Sequence, residues 1–140
     1  MMIQGMLISR QVFARVGLFD PELFASDFDF LLRMASRGVR FSAVPEASAL
    51  HRTTRKELSR EHLRSGLRSH LEIARRHARS STEYRRAAAR FRIETALNFR
   101  HYGYWMSASA CMAVAFFTSP STALSVIAER LMGKLRGSRR

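Results

Sequence analysis

The chain is organised around the segment FDPELFASDFDFLLR, residues 19–33. It is the one stretch in which acidic residues gather while apolar residues crowd around them. Asp20-Pro21 predicts a turn. Ser26 predicts a helix start, because its hydroxyl and the Asp29 carboxylate have the spacing of a capping box. Arg37-Gly38 predicts the end of this helix. Its expected buried face consists of Phe28, Leu31, Leu32 and Ala35.

The segments on either side predict short strands and one further helix. Residues 3–8, 40–44 and 47–50 have the apolar content or the alternation that is typical of strands. Before the organising segment, Ser9 predicts the N-cap of a helix and Gly17 its end, since glycine adopts a left-handed conformation without steric cost. Leu18 and Phe19 are then expected to fill the core. The order strand, helix, helix, strand, strand predicts an α/β fold class.

The rear of the chain predicts three or four helices over residues 56–136. Apolar residues follow helical spacing there, and Ser80-Ser81-Thr82 interrupts it. Pro120 stands at the favoured first position of the last helix. Trp105 is expected to pack with Tyr102 and Tyr104, and Cys111 to be a core thiol. We therefore expect a mixed α/β region over residues 1–55 and a basic helical region over residues 56–140.

The net charge of +13 is spread unevenly along the 140 residues. Residues 1–51 carry five arginines and five acids, so the whole excess lies after His51. A neutral front and a basic rear indicate two functions, or one function and one attachment surface. The single cysteine excludes an internal disulfide and fits a reducing compartment. The longest apolar run, residues 106–118, is shorter than the ~20 residues that cross a bilayer, which predicts a soluble or peripheral protein.

Asp27 is the candidate for chemistry on the residues alone. It falls in the first turn of the predicted helix, where the aligned backbone amides favour an ionised carboxylate. Such a carboxylate can accept a proton from a hydroxyl group or help to hold a divalent cation. The alternative is that Asp27 and Asp29 only stabilise a helix N-terminus, where acids are common.

The order of motifs over residues 3–55 resembles the acceptor-side segment of family 2 glycosyltransferases of the GT-A type. In that family, a glycine-led strand and a valine-glycine-glycine-phenylalanine-aspartate turn precede an E-D-x-D motif. That motif runs into a helix, and an arginine, a glycine, a strand, a valine-proline-glutamate-alanine turn and a histidine follow. The matching residues here are Val16-Gly17-Leu18-Phe19-Asp20, Ser26-Asp27-Phe28-Asp29, Arg33, Gly38, Val44-Pro45-Glu46-Ala47 and His51.

The resemblance implies a partial GT-A fold, with the nucleotide-diphospho-sugar transferase-like acceptor half in residues 1–55 and a helical extension in 56–140. It implies inverting transfer of a sugar from a nucleotide-sugar donor to a hydroxyl acceptor. Asp27 falls on the catalytic base of the family. Asp29 and Arg33 fall on acceptor-side support, with Arg33 pairing with an acid on a neighbouring turn. The implied donor-diphosphate residues are His51, Arg52 and Arg55, of which His51 is also the implied contact to a metal.

Two departures from the family pattern limit what the resemblance implies. Ser26 stands where the family has the first acid of its motif, so the role of that acid in acceptor binding is absent or changed. The donor-binding half and its D-x-D motif have no counterpart in this sequence. We therefore expect the chain alone to lack donor binding, and whether it is an enzyme by itself stays open.

For the complete enzyme the resemblance implies a divalent cation, Mg²⁺ or Mn²⁺, and a saccharide or lipid-linked acceptor. It also implies a cytoplasmic location, with a peripheral position at the inner face of the membrane as a variant. The alternative reading, from another functional class, is a basic helical module that binds nucleic acid or an anionic membrane surface. Nucleic acid is the weaker of these, since the arginines spread over several helices and no recognition motif is visible.

Overall fold

The computed structural model describes residues 6–42 and 58–137, and every regular secondary-structure element in that part of the chain is a helix. Those residues contain no strand, so the predicted α/β fold class, and with it the partial GT-A fold, is wrong. The helices are α1 (Arg10–Val16), α2 (Ser26–Ser36), α3 (Arg60–His77), α4 (Ser81–His101), α5 (Trp105–Thr118) and α6 (Pro120–Gly137). None of the helices is both long enough and apolar enough, over the described residues, to cross a membrane.

The predicted strands fail where the structure describes them. Residues 6–8 and 40–42 have no regular secondary structure, and the rest of the three predicted strands lies outside the described residues. Met6, Ile8 and Val39 instead pack against the helical core of α1 and α2. A short apolar run forms a strand only when a neighbouring strand pairs with its backbone. Here the apolar side chains are buried against helices instead, without a paired strand.

The chain divides into two compact units, Met1–Lys56 and Glu57–Arg140. In the front unit, both predicted ends of α1 are confirmed. The Ser9 hydroxyl accepts a hydrogen bond from the Gln11 amide at 3.3 Å. Gly17 ends the helix at φ 88°, ψ −175°, and its amide donates to the Phe13 carbonyl at 2.8 Å. Only glycine adopts this backbone conformation readily, so the residue is required by the turn itself.

The start of α2 differs from the predicted capping box. Ala25, with no side-chain hydrogen bond, is the N-cap, and Ser26 is already the first helical residue. The Ala25 carbonyl accepts the amides of Phe28 and Asp29 at 3.1 and 3.2 Å, which leaves the Asp29 amide unavailable to the Ser26 hydroxyl. The helix therefore begins one residue earlier than a Ser26 cap requires.

The buried face of α2 is also rotated relative to the predicted one. Phe30 and Met34 are buried, whereas Phe28, Leu31 and Leu32 are partly buried and Ala35 is exposed. The Phe30 ring lies 4.7 Å from the ring of Phe19 and 5.2 Å from that of Phe13, measured between centroids. Phe19 contacts this aromatic cluster through its ring but is 39% exposed, so the expectation that it fills the core is wrong. The expectation for Leu18 is wrong, since its side chain is 74% exposed.

The rear unit contains four helices, which agrees with the predicted number. Ser80 caps α4 by accepting from the Glu83 amide at 3.1 Å, and α6 begins at Pro120. Its core is rich in alanine, which lets helix backbones approach closely. The buried core alanines of α4, α5 and α6 are Ala88, Ala89, Ala96, Ala108, Ala115 and Ala123. Three of them, Ala89, Ala115 and Ala123, form with Ile93 and Val126 the cluster that joins these three helices.

Candidate functional site

The centre of the front unit is the guanidinium of Arg33, which joins α2 to the turn that follows α1. Its Nε donates to Asp29 Oδ2 at 2.7 Å. Its Nη1 donates to the Val16 carbonyl at 2.7 Å, and its Nη2 donates to the Leu18 carbonyl at 2.8 Å. One planar fork thus makes three charge-assisted bonds, and the Arg33 Cζ also lies 5.3 Å from the Phe30 ring centroid. We call this set of contacts the Arg33 clamp.

A second arginine of α2 strengthens the Arg33 clamp. Arg37 Nη1 donates to the same Val16 carbonyl at 3.0 Å, and the Arg37 carbonyl accepts a hydrogen bond from the Arg15 guanidinium. Arg33 and Arg37 lie one helical turn apart, so both project towards the end of α1. The contribution of Arg37 was not predicted, although its spacing from Arg33 is the signal that could have indicated it.

The two acids of the organising segment lie in different environments. Asp29 is 2% exposed and its carboxylate is held by Arg33. A buried carboxylate is stable only when it is paired in this way. The predicted pairing of Arg33 with an acid is therefore confirmed, whereas the cap role predicted for Asp29 is replaced by the ion pair. Acceptor-side support by Asp29 and Arg33 stays a prediction.

Asp27 has a partly exposed side chain in the first turn of α2. Its Oδ1 accepts a hydrogen bond from the Phe28 amide at 2.8 Å, and no ion pair to it is found in the described part of the chain. Asp27 therefore presents an acceptor group close to solvent, while its neighbour Asp29 is committed to the Arg33 clamp.

The structure does not test whether the predicted donor-diphosphate residues lie near this site. His51, Arg52 and Arg55 lie outside the described residues. Within residues 6–42 and 58–137, no group of three or more His, Cys, Asp or Glu side chains is placed to hold a metal ion. The Mg²⁺ or Mn²⁺ that the resemblance implies therefore has no identified ligand set among these described residues.

The rear unit carries a second candidate region at the junction of α4, α5 and α6. A cavity of about 500 Å³ has an apolar wall that includes Ile93, Leu97 and Met112. Its polar and aromatic lining comes from Arg100, His101, Arg130 and Trp105. The Arg100 Cζ lies 5.8 Å from the Trp105 ring centroid, which is cation–π distance.

Trp105 differs from its prediction, since it is 62% exposed and does not join Tyr102 and Tyr104. Those two tyrosines pack on the buried cluster of Leu63, Phe99 and Ala108 as expected. Cys111 packs partly buried against the same cluster, and burial raises the pKa of its thiol despite the opposing influence of Arg92 and Arg64. The exposure of Trp105 places an aromatic side chain at the surface, beside a cation.

Comparisons with known proteins give no further information about either region. A scan against protein-family models, a search of curated proteins and a search of solved structures each found no match.

Proposed function

We propose that the front unit supplies the acceptor-side catalytic element of an inverting glycosyltransferase, with Asp27 as the general base. In this reaction, the Asp27 carboxylate takes the proton of the acceptor hydroxyl as that oxygen attacks the anomeric carbon. The bond from the anomeric carbon to the donor diphosphate breaks, and the nucleoside diphosphate leaves with its electron pair. The proposal concerns these residues and their order, not the α/β fold class, which the helical architecture contradicts.

The observation that carries the proposal is the different placement of the two acids. Asp29 is buried in the Arg33 clamp, whereas Asp27 is partly exposed and accepts a hydrogen bond from the following amide. A general base must reach the substrate hydroxyl and accept its proton, and a partly exposed carboxylate at the start of α2 is accessible for both. The residue on which the sequence motif places the base is thus also the acid that remains available for chemistry.

The Arg33 clamp has a positioning role in this proposal. It ties the carbonyls of Val16 and Leu18 to α2, and so it holds the turn that precedes the acids against the helix that carries them. A catalytic carboxylate contributes most when the structure around it is rigid. Arg33 and Asp29 are therefore positioning residues, while Asp27 is the residue that would touch the substrate.

The remaining roles are part of the same proposal. His51, Arg52 and Arg55 would contact the leaving diphosphate, since guanidinium and imidazolium groups stabilise developing phosphate charge. The complete enzyme would require a donor-binding region that these residues do not supply. We propose a cytoplasmic location, with which the free thiol of Cys111 agrees.

The test joins this chain to a donor-binding region encoded at the same locus and measures release of nucleoside diphosphate with and without acceptor. Asp27→Asn keeps the shape of the side chain but cannot accept the proton, so we expect turnover to fall by about 10²–10⁴-fold. Donor affinity should be unchanged, because the base contacts the acceptor.

The matched control is Glu22→Gln, which removes one exposed negative charge from the turn before α2. It should leave turnover within about twofold of the unmodified protein, because exposed charges contribute little. Full activity of Asp27→Asn would remove the mechanism for this chain. Equal losses in Asp27→Asn and Glu22→Gln would show that only the local charge matters, and the general-base role would be wrong.

A further inference from the structure

Helix α5 is apolar on the side that the rear unit leaves uncovered. It contains no charged residue, and its inner side packs on α4 and α6 through Ala115, Met112 and Phe116. Among its outward side chains, Met106 is 86% exposed and Phe117 is 91% exposed. We define the α5 apolar face as the exposed residues Met106, Ala110, Ala113, Val114 and Phe117.

The α5 apolar face is continuous along the helix. Successive residues of this face are one, three or four positions apart in the sequence. This spacing places them in one stripe about 16 Å long on the helix surface. A surface helix normally presents charged or polar side chains on the side away from the core, and a helix that is apolar on both sides has a second contact. The sequence already indicates this second contact, because α5 has no charged residue that would favour exposure of its outer side to water.

A cation stands beside one end of this face. Arg100 lies against Trp105 at the first residue of α5, next to Met106 in the sequence. The neighbouring acids are already compensated, since Glu94 pairs with Arg130, and Glu129 lies 3.7 Å from Arg90. Tryptophan beside arginine is the combination that occupies the boundary between lipid headgroups and acyl chains.

We propose that the rear unit docks on an anionic lipid bilayer surface, with the α5 apolar face entering the interfacial layer and Trp105 and Arg100 at headgroup level. The charge of the chain supports this partner, because the whole excess of +13 lies after His51. Interfacial binding strength grows with the buried apolar area and with attraction to anionic lipid. The rear unit supplies both the exposed apolar side chains of α5 and the positive charge.

Charge complementarity favours lipid over the other possible occupants. A second copy of this chain would bring the same arginines near one another, whereas anionic headgroups neutralise them. Nucleic acid would also neutralise the arginines, but its phosphodiester backbone gives an uncharged apolar helix nothing to contact. This proposal does not depend on sugar transfer, and either one stands if the other fails.

The experiment uses the full chain and vesicles of phosphatidylcholine, with and without phosphatidylglycerol. Trp105 is the one tryptophan of the chain, and it precedes Met106 at the start of α5, so its emission reports on the end of the α5 apolar face. We expect co-flotation with the anionic vesicles, a blue shift of Trp105 emission, and quenching of that emission by lipids brominated on the acyl chain. Binding should weaken as salt is raised, because the headgroup attraction is screened.

Two variants test the apolar contact. Phe117→Glu and Met106→Glu each place a carboxylate where an apolar side chain would enter the interface, and we expect each to lower the partition coefficient about tenfold or more. The matched control is Thr82→Glu, an equal charge change at an exposed position in the first turn of α4. It should lower partitioning by no more than about fivefold, the effect of one charge near an anionic surface.

Several results would overturn the proposal. One is the absence of a Trp105 shift or of lipid quenching on anionic vesicles. Another is an equal loss of binding in Thr82→Glu and Phe117→Glu, which would mean that net charge alone attracts the protein. A dimer in sedimentation that Phe117→Glu converts to monomer, without vesicle binding, would assign the face to a second copy. Binding to RNA or DNA with no vesicle binding would assign the basic surface to nucleic acid.

Discussion

The two units of this chain hold their helices together by opposite means. In the front unit, the buried aromatic and aliphatic side chains are few, and one arginine connects α2 to the end of α1 through two carbonyls and a buried carboxylate. In the rear unit, the described ion pairs lie at the surface, and α4, α5 and α6 meet through buried alanines. The front unit therefore depends on a polar network, and the rear unit depends on close packing.

This difference indicates where each unit is sensitive to change. A polar network that depends mainly on one side chain is weakened when that side chain is removed, because the buried carboxylate then loses its cation. An interface of alanines does not depend on any single side chain in this way. It is so closely packed, however, that it has no room for additional atoms. The front unit should thus be damaged by loss of a group, and the rear unit by gain of one.

The largest expected effect is that of Arg33→Met. It leaves the Asp29 carboxylate buried without its cation, and we expect a loss of about 3 kcal/mol in the free energy of unfolding, the lower end of the cost of breaking a buried pair. The value is at the lower end because the Arg33 side chain is itself 21% exposed. Hydrogen exchange of the α2 amides measures it, since that method resolves the front unit from the rear.

A double variant sharpens this result. Arg33→Met combined with Asp29→Leu removes both charges, so part of the stability should return, while the bonds to the Val16 and Leu18 carbonyls stay lost. If Arg33→Met alone leaves the exchange of α2 amides unchanged, the Arg33 clamp does not stabilise the unit and the comparison fails.

The next effect is that of Ala115→Leu in the rear unit. Ala115 is fully buried in one cluster with Ala89 and Ala123, so the added atoms force the helices apart. We expect a loss of about 1–3 kcal/mol in the free energy of unfolding. Urea unfolding monitored by Trp105 fluorescence measures this loss. Ala110→Leu is the control on the exposed side of the same helix and should change stability by about 0.5 kcal/mol or less. Equal losses from the two variants would mean that α5 is not packed as described.

The smallest effect concerns the exposed ion pairs of the rear unit. Glu72 lies 2.8 Å from Arg75 and 2.9 Å from Arg76, and hydrogen bonds from these two arginines lower the pKa of Glu72 to about 2. Because the pKa is lowered on folding, the stabilisation is present above the ordinary carboxylate range and is lost as the pH falls through about 2. A carboxyl NMR titration should give that midpoint.

The control for this titration is added salt, which should raise the Glu72 midpoint towards the ordinary value of about 4.3 by screening the surface pair. Glu72→Gln should change the stability of the rear unit only slightly, since exposed pairs contribute little. An unshifted midpoint at low salt would show that the side chains are not paired in solution, and the rear unit would then rest on packing alone.

The sequence predicted the local features of this fold and missed the features that depend on distant contacts. Ser9, Gly17, Ser80 and Pro120 act at helix ends through backbone groups within a few residues, so their roles follow from local chemistry. Strand formation at residues 6–8 and 40–42 depends on a pairing partner elsewhere in the chain, which a local pattern does not contain.

The candidate site follows the same division. The pairing of Arg33 with an acid was predictable because Asp29 lies one turn away on α2. The bonds of Arg33 to the Val16 and Leu18 carbonyls, and the resulting rotation of the buried face towards Phe30, arise from a contact across the turn and were not predictable. For α5 the apolar composition was visible, but composition does not indicate which side the neighbouring helices cover.

The geometry of the Arg33 clamp also constrains the order in which the front unit folds. The bond from Arg33 to Asp29 spans four residues within one helix, whereas the bonds to Val16 and Leu18 close loops of 17 and 15 residues. Local contacts form with less loss of chain entropy than distant ones, so α2 and its ion pair should form before the turn docks. In a kinetic analysis, φ-values for Asp29 should then exceed those for Gly17, and the reverse order would exclude this sequence of events. The turn at Gly17 would then dock last on a preformed α2. The end of α1 would therefore be the final part of the front unit to become fixed.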